Sequence, residues 1–300
     1  MIKAVNISKS FGKIKALDSI SAEIKQGSVF GLVGTNGAGK STFLRVLAGI
    51  YQPDTGAVTI EDQAVFENPA LKERCFYISD EQYFFNNCNP LDILCYYQKI
   101  FPAFNKERYL HLLKNFELDP KRKVNTFSKG MKKQVSVIAA ISSGTDYIFC
   151  DETFDGLDPV IRQAVKSLFA ADVAERNLTP IIASHNLREL EDICDHIGLL
   201  HKGGILFTRD LDDMKLDIHK IQAIFSAEKS REDFAPLEML SFDKRGSLYT
   251  IIARGEKTSI EAVINAQKPV FSELLPLTLE EIFISETEVK GYDIKKLLEE

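Results

Sequence analysis

Tryptophan is missing altogether from this 300-residue chain, and cysteine and methionine are scarce, at five and four copies. The cysteines, Cys75, Cys88, Cys95, Cys150 and Cys194, are odd in number and nowhere spaced CxxC. This argues against a disulfide framework or a zinc site and reads as reduced thiols in a cytosolic protein. Cys150 and Cys194 lie in apolar stretches, where cysteine behaves as a small hydrophobe. No apolar run approaches the roughly 20 residues that span a bilayer. The opening MIKAVNISKSFGKIKAL also lacks the apolar core of a secretion signal. Any membrane role is therefore expected to come through a partner. Positive charge is not in excess either. With 37 Lys and Arg against 43 Asp and Glu the formal charge is −6, so no global basic field draws in nucleic acid, and no such partner is expected.

The length allows a core domain with a smaller appendage. Residues 1–30 alternate like strands, broken by turn-prone Gly12 and Gly27. STFLRVLAGI reads as a helix with Phe43, Leu44 and Leu47 on one face and Gly49 as its stop. From Pro90 to about Asn125 the pattern is helical and aromatic. DYIFCDE and TPIIASH read as buried strands, DPVIRQAVKSLFAADVAE and NLRELEDICDHIG as helices, and IGLLHKGGILF as a hairpin. Strands alternating with helices indicate an α/β fold with a largely parallel sheet. After Phe207 the character changes. A charged, helix-like TRDLDDMKLDIHK precedes a small βββα-type module with a turn at Asp243 to Gly246, and the boundary is placed near residue 215.

Gly34-x-x-x-x-Gly39-Lys40-Ser41 follows a buried strand and precedes a helix. Its glycines let backbone N–H groups turn inward around phosphate oxygens, and the helix directs its positive dipole end at them. Lys40 can reach the β- and γ-phosphates and Ser41 can ligate Mg²⁺. Motif and context agree, so the chain is expected to bind a nucleoside triphosphate. About 110 residues later, YIFCDE ends a buried strand in Asp151 and Glu152. The C-terminal edge of such a sheet is where ligands sit. Asp151 is expected to hold Mg²⁺, and Glu152 to polarise an attacking water as general base.

With these elements in order, residues 1–210 resemble the nucleotide-binding subunit of ABC transporters. Gly34, Thr35, Asn36, Gly37, Ala38, Gly39, Lys40, Ser41 and Thr42 match the Walker A loop, and Tyr147 to Asp151 the Walker B strand. Asp155, Gly156, Leu157 and Asp158 resemble the D-loop, and His185 stands at the switch-histidine position. Phe11 falls where an aromatic stacks on adenine, or is a core aromatic. Ser128, Lys129, Gly130 and Met131 occupy the place of the LSGGQ signature, which in the family covers the γ-phosphate held by a second subunit. Ser128 can cap its helix, face that phosphate, or both. The resemblance implies a P-loop NTPase of ABC type, with a helical subdomain at about 83–142 and a domain ending near 215. It also implies a small α+β accessory or regulatory domain over 216–300. ATP and Mg²⁺ are the implied cofactors. The implied partners are a second ATPase subunit, identical or paired, and an integral-membrane permease that docks a coupling helix. The implied location is the cytoplasmic face of a bacterial cell membrane.

Three departures from the family pattern stand out. Lys129 and Met131 replace a glycine and a glutamine of the signature, and Asp155 replaces a small residue. The Q-loop register lands on Asp80, a further candidate for Mg²⁺ through water, with Gln82 two residues away. Aromatic residues from Tyr83 to Phe104 fill a helical core or, in part, face the coupling helix. Leu277 to Thr287 resembles the ending of export ATPases, and the whole is similar to exporters of the bacitracin and phenol-soluble modulin type. That favours export of a peptide, antibiotic or other amphipathic compound. The module carrying this ending regulates, helps dimerise or merely covers an apolar face. A soluble ABC-type ATPase acting on ribosomes, DNA or an assembly complex is the alternative function. A small-molecule kinase is a third, but it would need neither the signature nor His185.

Overall fold

The computed structural model describes residues 1–211, 218–275 and 277–282. It divides into two compact units, Met1–Thr208 and Arg209–Glu300. The expected boundary near residue 215 falls within 212–217, outside the described residues, and the division comes a few residues earlier. The expected charged helix after Phe207 is corrected at both ends, because Thr208 to Asp210 and Ile218 to Lys220 lie in strands. Of the Leu277 to Thr287 ending, the residues beyond Ile282 are outside the described residues.

The first unit runs β1 (Ile2–Phe11), β2 (Ile14–Ile24), β3 (Phe30–Val33), α1 (Lys40–Leu47), β4 (Thr55–Ile60), β5 (Gln63–Ala64), α2 (Pro69–Lys72) and β6 (Cys75–Ile78). It continues with α3 (Pro90–Ile100), α4 (Lys106–Asn115), α5 (Lys129–Ser142), β7 (Tyr147–Asp151), α6 (Pro159–Arg176), β8 (Thr179–Ser184), α7 (Leu187–Glu191), β9 (His196–His201) and β10 (Gly204–Asp210), the last of which runs two residues past the division. One sheet is ordered β2-β1-β4-β5 and its recorded pairings are antiparallel. The other is ordered β10-β9-β3-β8-β7-β6, and β9, β3, β8, β7 and β6 pair in parallel. Strands β3, β7 and β8 are buried along their whole length, as befits continuous apolar runs in a parallel sheet covered on both faces. Helix α1 packs against strands of both sheets, with Phe43, Leu44 and Leu47 fully buried. That one helix ties the phosphate loop rigidly into the core. Helices α3 to α5 lie within the stretch expected to form a helical subdomain. Asn89 caps α3 through a reciprocal bond with Asp92, and Pro90 sits in its first turn.

The helix read over NLRELEDICDHIG stops at Glu191, since Asp195 and His196 turn their amides to the Val29 carbonyl and start β9 beside β3. Tertiary hydrogen bonds override the helical pattern there.

In the second unit, β11 (Ile218–Ile224), β12 (Glu238–Arg245), β13 (Leu248–Arg254) and β14 (Phe271–Leu275) form an antiparallel sheet ordered β12-β13-β11-β14. Helix α8 (Lys257–Ala266) contributes Ile260 and Ile264 to a core with Phe225, Phe234, Tyr249 and Ile251. The expected turn at Asp243 to Gly246 is shifted to Gly246 and Ser247, because the ladder pairs Asp243 with Thr250 and Lys244 with Tyr249. The fourth strand, β14, was not expected.

Candidate nucleotide site

The parallel ladder sets the depth at which each group emerges. Val33 lies level with Ser184, and Asp151 with Ala183. Gly34, His185 and Glu152 therefore each follow the end of an adjacent strand, on one edge of the sheet. The Gly34-to-Thr42 loop wraps this edge. Asn36, Gly37, Gly39, Lys40, Ser41 and Thr42 line a cleft of about 430 Å³, together with Asp80, Glu152 and the Lys202–Gly203 turn. Gly34, Thr35 and Ala38 support the loop instead. The Lys40 ammonium donates to the Gly34 carbonyl at 2.8 Å and the Thr35 carbonyl at 3.3 Å, and the Ala38 amide donates to Thr35 at 3.1 Å. Gly39 has φ 105, and a Cβ there would stand 2.5 Å from the Ala16 carbonyl oxygen. Only glycine fits that turn into α1.

Asp151 is fully buried. The Ser41 hydroxyl donates to one of its oxygens at 2.8 Å and the Tyr77 hydroxyl to the other at 2.9 Å. Burial raises its pKa, against the lowering effect of these two bonds. A buried carboxylate beside a hydroxyl is a hard-oxygen pair suited to Mg²⁺, which characteristically takes one or two carboxylates and completes its shell with phosphate and water. Tyr77, on β6, escaped the sequence reading because nothing local marks it.

Glu152 has the densest set of partners. One carboxylate oxygen is 3.1 Å from the Lys40 ammonium, and the other is 2.9 Å from His185 Nδ1 and 3.3 Å from the His185 amide. Its backbone has φ 46, the left-handed region that glutamate rarely adopts. The Glu152 carbonyl accepts from Lys133, a lysine with no exposed surface. Asp80 lines the cleft with its carboxylate 3.3 Å from the same ammonium. Gln82 turns away to accept from the Ser136 hydroxyl. Lys133 is the second group that sequence reasoning missed.

Ser128 is the N-cap of α5 and accepts from the Met131 amide at 3.2 Å. Met131 thus enters through its backbone. Gly130 makes a close approach to the D-loop, since a Cβ there would lie 3.0 Å from the Gly156 carbonyl oxygen. Lys129 and Asp155, two of the departures from the family pattern, pair with each other at 3.4 Å. Burial raises the Asp155 pKa, but the Lys129 bond and the surrounding positive charges outweigh it and hold the net value below the ordinary range. Leu157 is buried, and Asp158 caps α6 by accepting from Val160 and Ile161 at 3.1 and 3.0 Å.

Phe11 is 45% exposed and meets Tyr51 edge-on at 5.5 Å, so the core alternative is excluded for it. Of the later aromatics, Phe101 is buried while Tyr83, Phe85 and Tyr96 are exposed in a chain of ring contacts. Among the described residues no helix is long and apolar enough to cross a membrane.

Residues 17–155 match the family model described as ABC transporter. The ATP-binding protein YtrB of Bacillus subtilis is 30% identical over 288 residues, covering 95% of this chain and 97% of the relative. The bacitracin transport ATP-binding protein BcrA of Bacillus licheniformis is 31% identical, covering 72% and 71%. A solved ATP-binding subunit of an ABC transporter superposes with TM-score 0.65 at 24% identity, over 72% of this chain and 92% of that one. The dimeric cassette MJ0796 bound to ADP and Pi gives TM-score 0.64 at 21% identity, over 70% and 99%.

Proposed function

The chain belongs to the ABC transporter ATP-binding family and is an ATP hydrolase, and from that premise we propose how its residues divide the work. Two copies, or this chain and a paired ATPase subunit, close head to tail on ATP. The loop from Gly34 to Thr42 of one holds the phosphates, and Ser128, Gly130 and the start of α5 in the other cover the γ-phosphate. The D-loop from Asp155 to Asp158 joins the same interface. Phe11, exposed at the end of β1, stacks on adenine. Ser41 and Asp151 would hold Mg²⁺, and Asp80, which lines the same cleft, would contact it through water. Mg²⁺ bound there would supply positive charge to the phosphates.

Glu152 takes a proton from water, the water oxygen bonds to the γ-phosphorus, and the bond from that phosphorus to the bridging oxygen breaks to release ADP. His185 orients Glu152. The observation that carries this reading is the Glu152 carboxylate, fixed between Lys40 and His185 at the cleft.

The exposed Tyr83, Phe85 and Tyr96 offer a surface to the coupling helix of a membrane permease, and the chain works at the cytoplasmic face of the cell membrane. The similarity to BcrA, whose name records bacitracin transport, supports export of a peptide, antibiotic or other amphipathic compound. The second unit, Arg209–Glu300, serves as an accessory or regulatory domain.

Glu152→Gln tests the core of this reading. Loss of a general base is expected to lower kcat by about 10²-fold or more, while an ATP-bound dimer accumulates on size exclusion. Turnover at the native rate would remove Glu152 from the role.

A further inference from the structure

Lys133 lies on α5, one turn beyond the helix start, and is fully buried although it carries a charge. Buried lysines are rare unless partnered, and the partners here are specific. Its ammonium donates to the Glu152 carbonyl at 2.5 Å and to the Asp80 carboxylate at 3.3 Å. The residue whose carbonyl it holds is the one at φ 46. Such a conformation persists only where the surroundings over-determine it. The Glu152 amide is fixed to the Ala183 carbonyl at 3.0 Å, which pins one side of the residue, and Lys133 pins the other. Asp80 follows β6 and stands three residues before the exposed Tyr83.

We propose that Lys133 is a positioning residue for hydrolysis, holding the Glu152 backbone in the conformation that directs its carboxylate into the cleft, with Asp80 setting where the ammonium sits. The assignment rests on Glu152 acting as general base.

The test uses the full chain. Lys133→Met keeps an unbranched chain as far as the ε position and removes the donor. A small displacement of a catalytic group can lower turnover by up to about 10²-fold. We expect kcat to fall by about 10- to 100-fold, with KM and equilibrium binding of a fluorescent ATP analogue close to native. Lys133→Arg should recover part of the rate. Assayed at saturating Mg²⁺, so that any role of Asp80 at the ion is held fixed, Asp80→Asn should lower kcat in the native background and add little to Lys133→Met, because groups acting through one contact are non-additive. Native kcat in Lys133→Met overturns the proposal, and so does equal loss of nucleotide binding and turnover, which marks a merely structural residue. If Lys133→Met does not fold, Asp80→Asn decides, and native kcat in that half-exposed variant overturns the proposal. Glu152→Gln run in parallel separates the readings. An active Glu152→Gln removes the general base itself, whereas an inactive one beside a native Lys133→Met removes Lys133 alone.

Discussion

Asp151 has no exposed surface, and two hydroxyls from distant elements, Ser41 and Tyr77, meet its two oxygens. Groups that orient a ligating carboxylate tune metal affinity, and their loss typically lowers it 10- to 100-fold. Tyr77→Phe is therefore expected to raise the Mg²⁺ concentration for half-maximal ATPase by about 10-fold with little change in KM for ATP. An unchanged Mg²⁺ titration would show that the hydroxyl only satisfies the buried oxygen. Tyr77 also shows where reading a sequence ends at this scale. Lys40, Ser41 and Asp151 are recognisable because the chemistry of each depends on neighbours in the chain, a loop or a strand end. Tyr77 and Lys133 act across 74 and 19 residues, and their identity as tyrosine or lysine carries no local pattern. Phe11 could not be decided from its neighbours either. Exposure settles that it is not core, and exposure is a tertiary property.

Helix α5 combines a structural and a functional demand at one residue. Ser128 accepts from the Met131 amide, as an N-cap does, at the end of the helix assigned to a phosphate in the partner subunit. The two roles separate by substitution. Ser128→Ala should lower unfolding stability by about 1 kcal/mol and weaken ATP-driven dimerisation. Ser128→Asp retains a capping oxygen and should restore stability, yet it sets a carboxylate against phosphate and should leave dimerisation impaired. Urea unfolding and size exclusion with ATP measure the two separately. Recovery of both by Asp would reduce Ser128 to a cap. Elements with strong local signals, such as α1, β7, α6 and β8, were legible from periodicity and caps. Helix α7 and the β12–β13 turn were not, because hydrogen bonds to Val29 and the register with β13 decide where they end.

At the scale of the molecule, the second unit has its own apolar core around Phe225, Phe234, Tyr249 and Ile251. Phe234 is fully buried there, so Phe234→Ala is expected to destabilise that unit by about 3–5 kcal/mol. Calorimetry should show a lowered transition while the KM for ATP is retained, and a parallel rise in KM would tie that core to the nucleotide cleft. The alternation of strand and helix patterns made the α/β architecture of the first unit readable in advance. The fourth strand of the second unit was not, since FSELL is short and mostly exposed and acquires strand character by pairing with β11.

The parallel sheet has a further consequence for how the chain reaches its working form. Ser41 and Asp151 are bonded although 110 residues separate them, and β8, which lies between β3 and β7 in the sheet, follows both in sequence. No local segment can assemble the cleft, and non-local parallel pairing is slow because loop closure precedes its reward. A nascent chain still short of residue 185 has its phosphate loop but lacks the β8 strand end and His185. A chain truncated before His185 is therefore expected to show no ATPase activity, without any dedicated inhibitor.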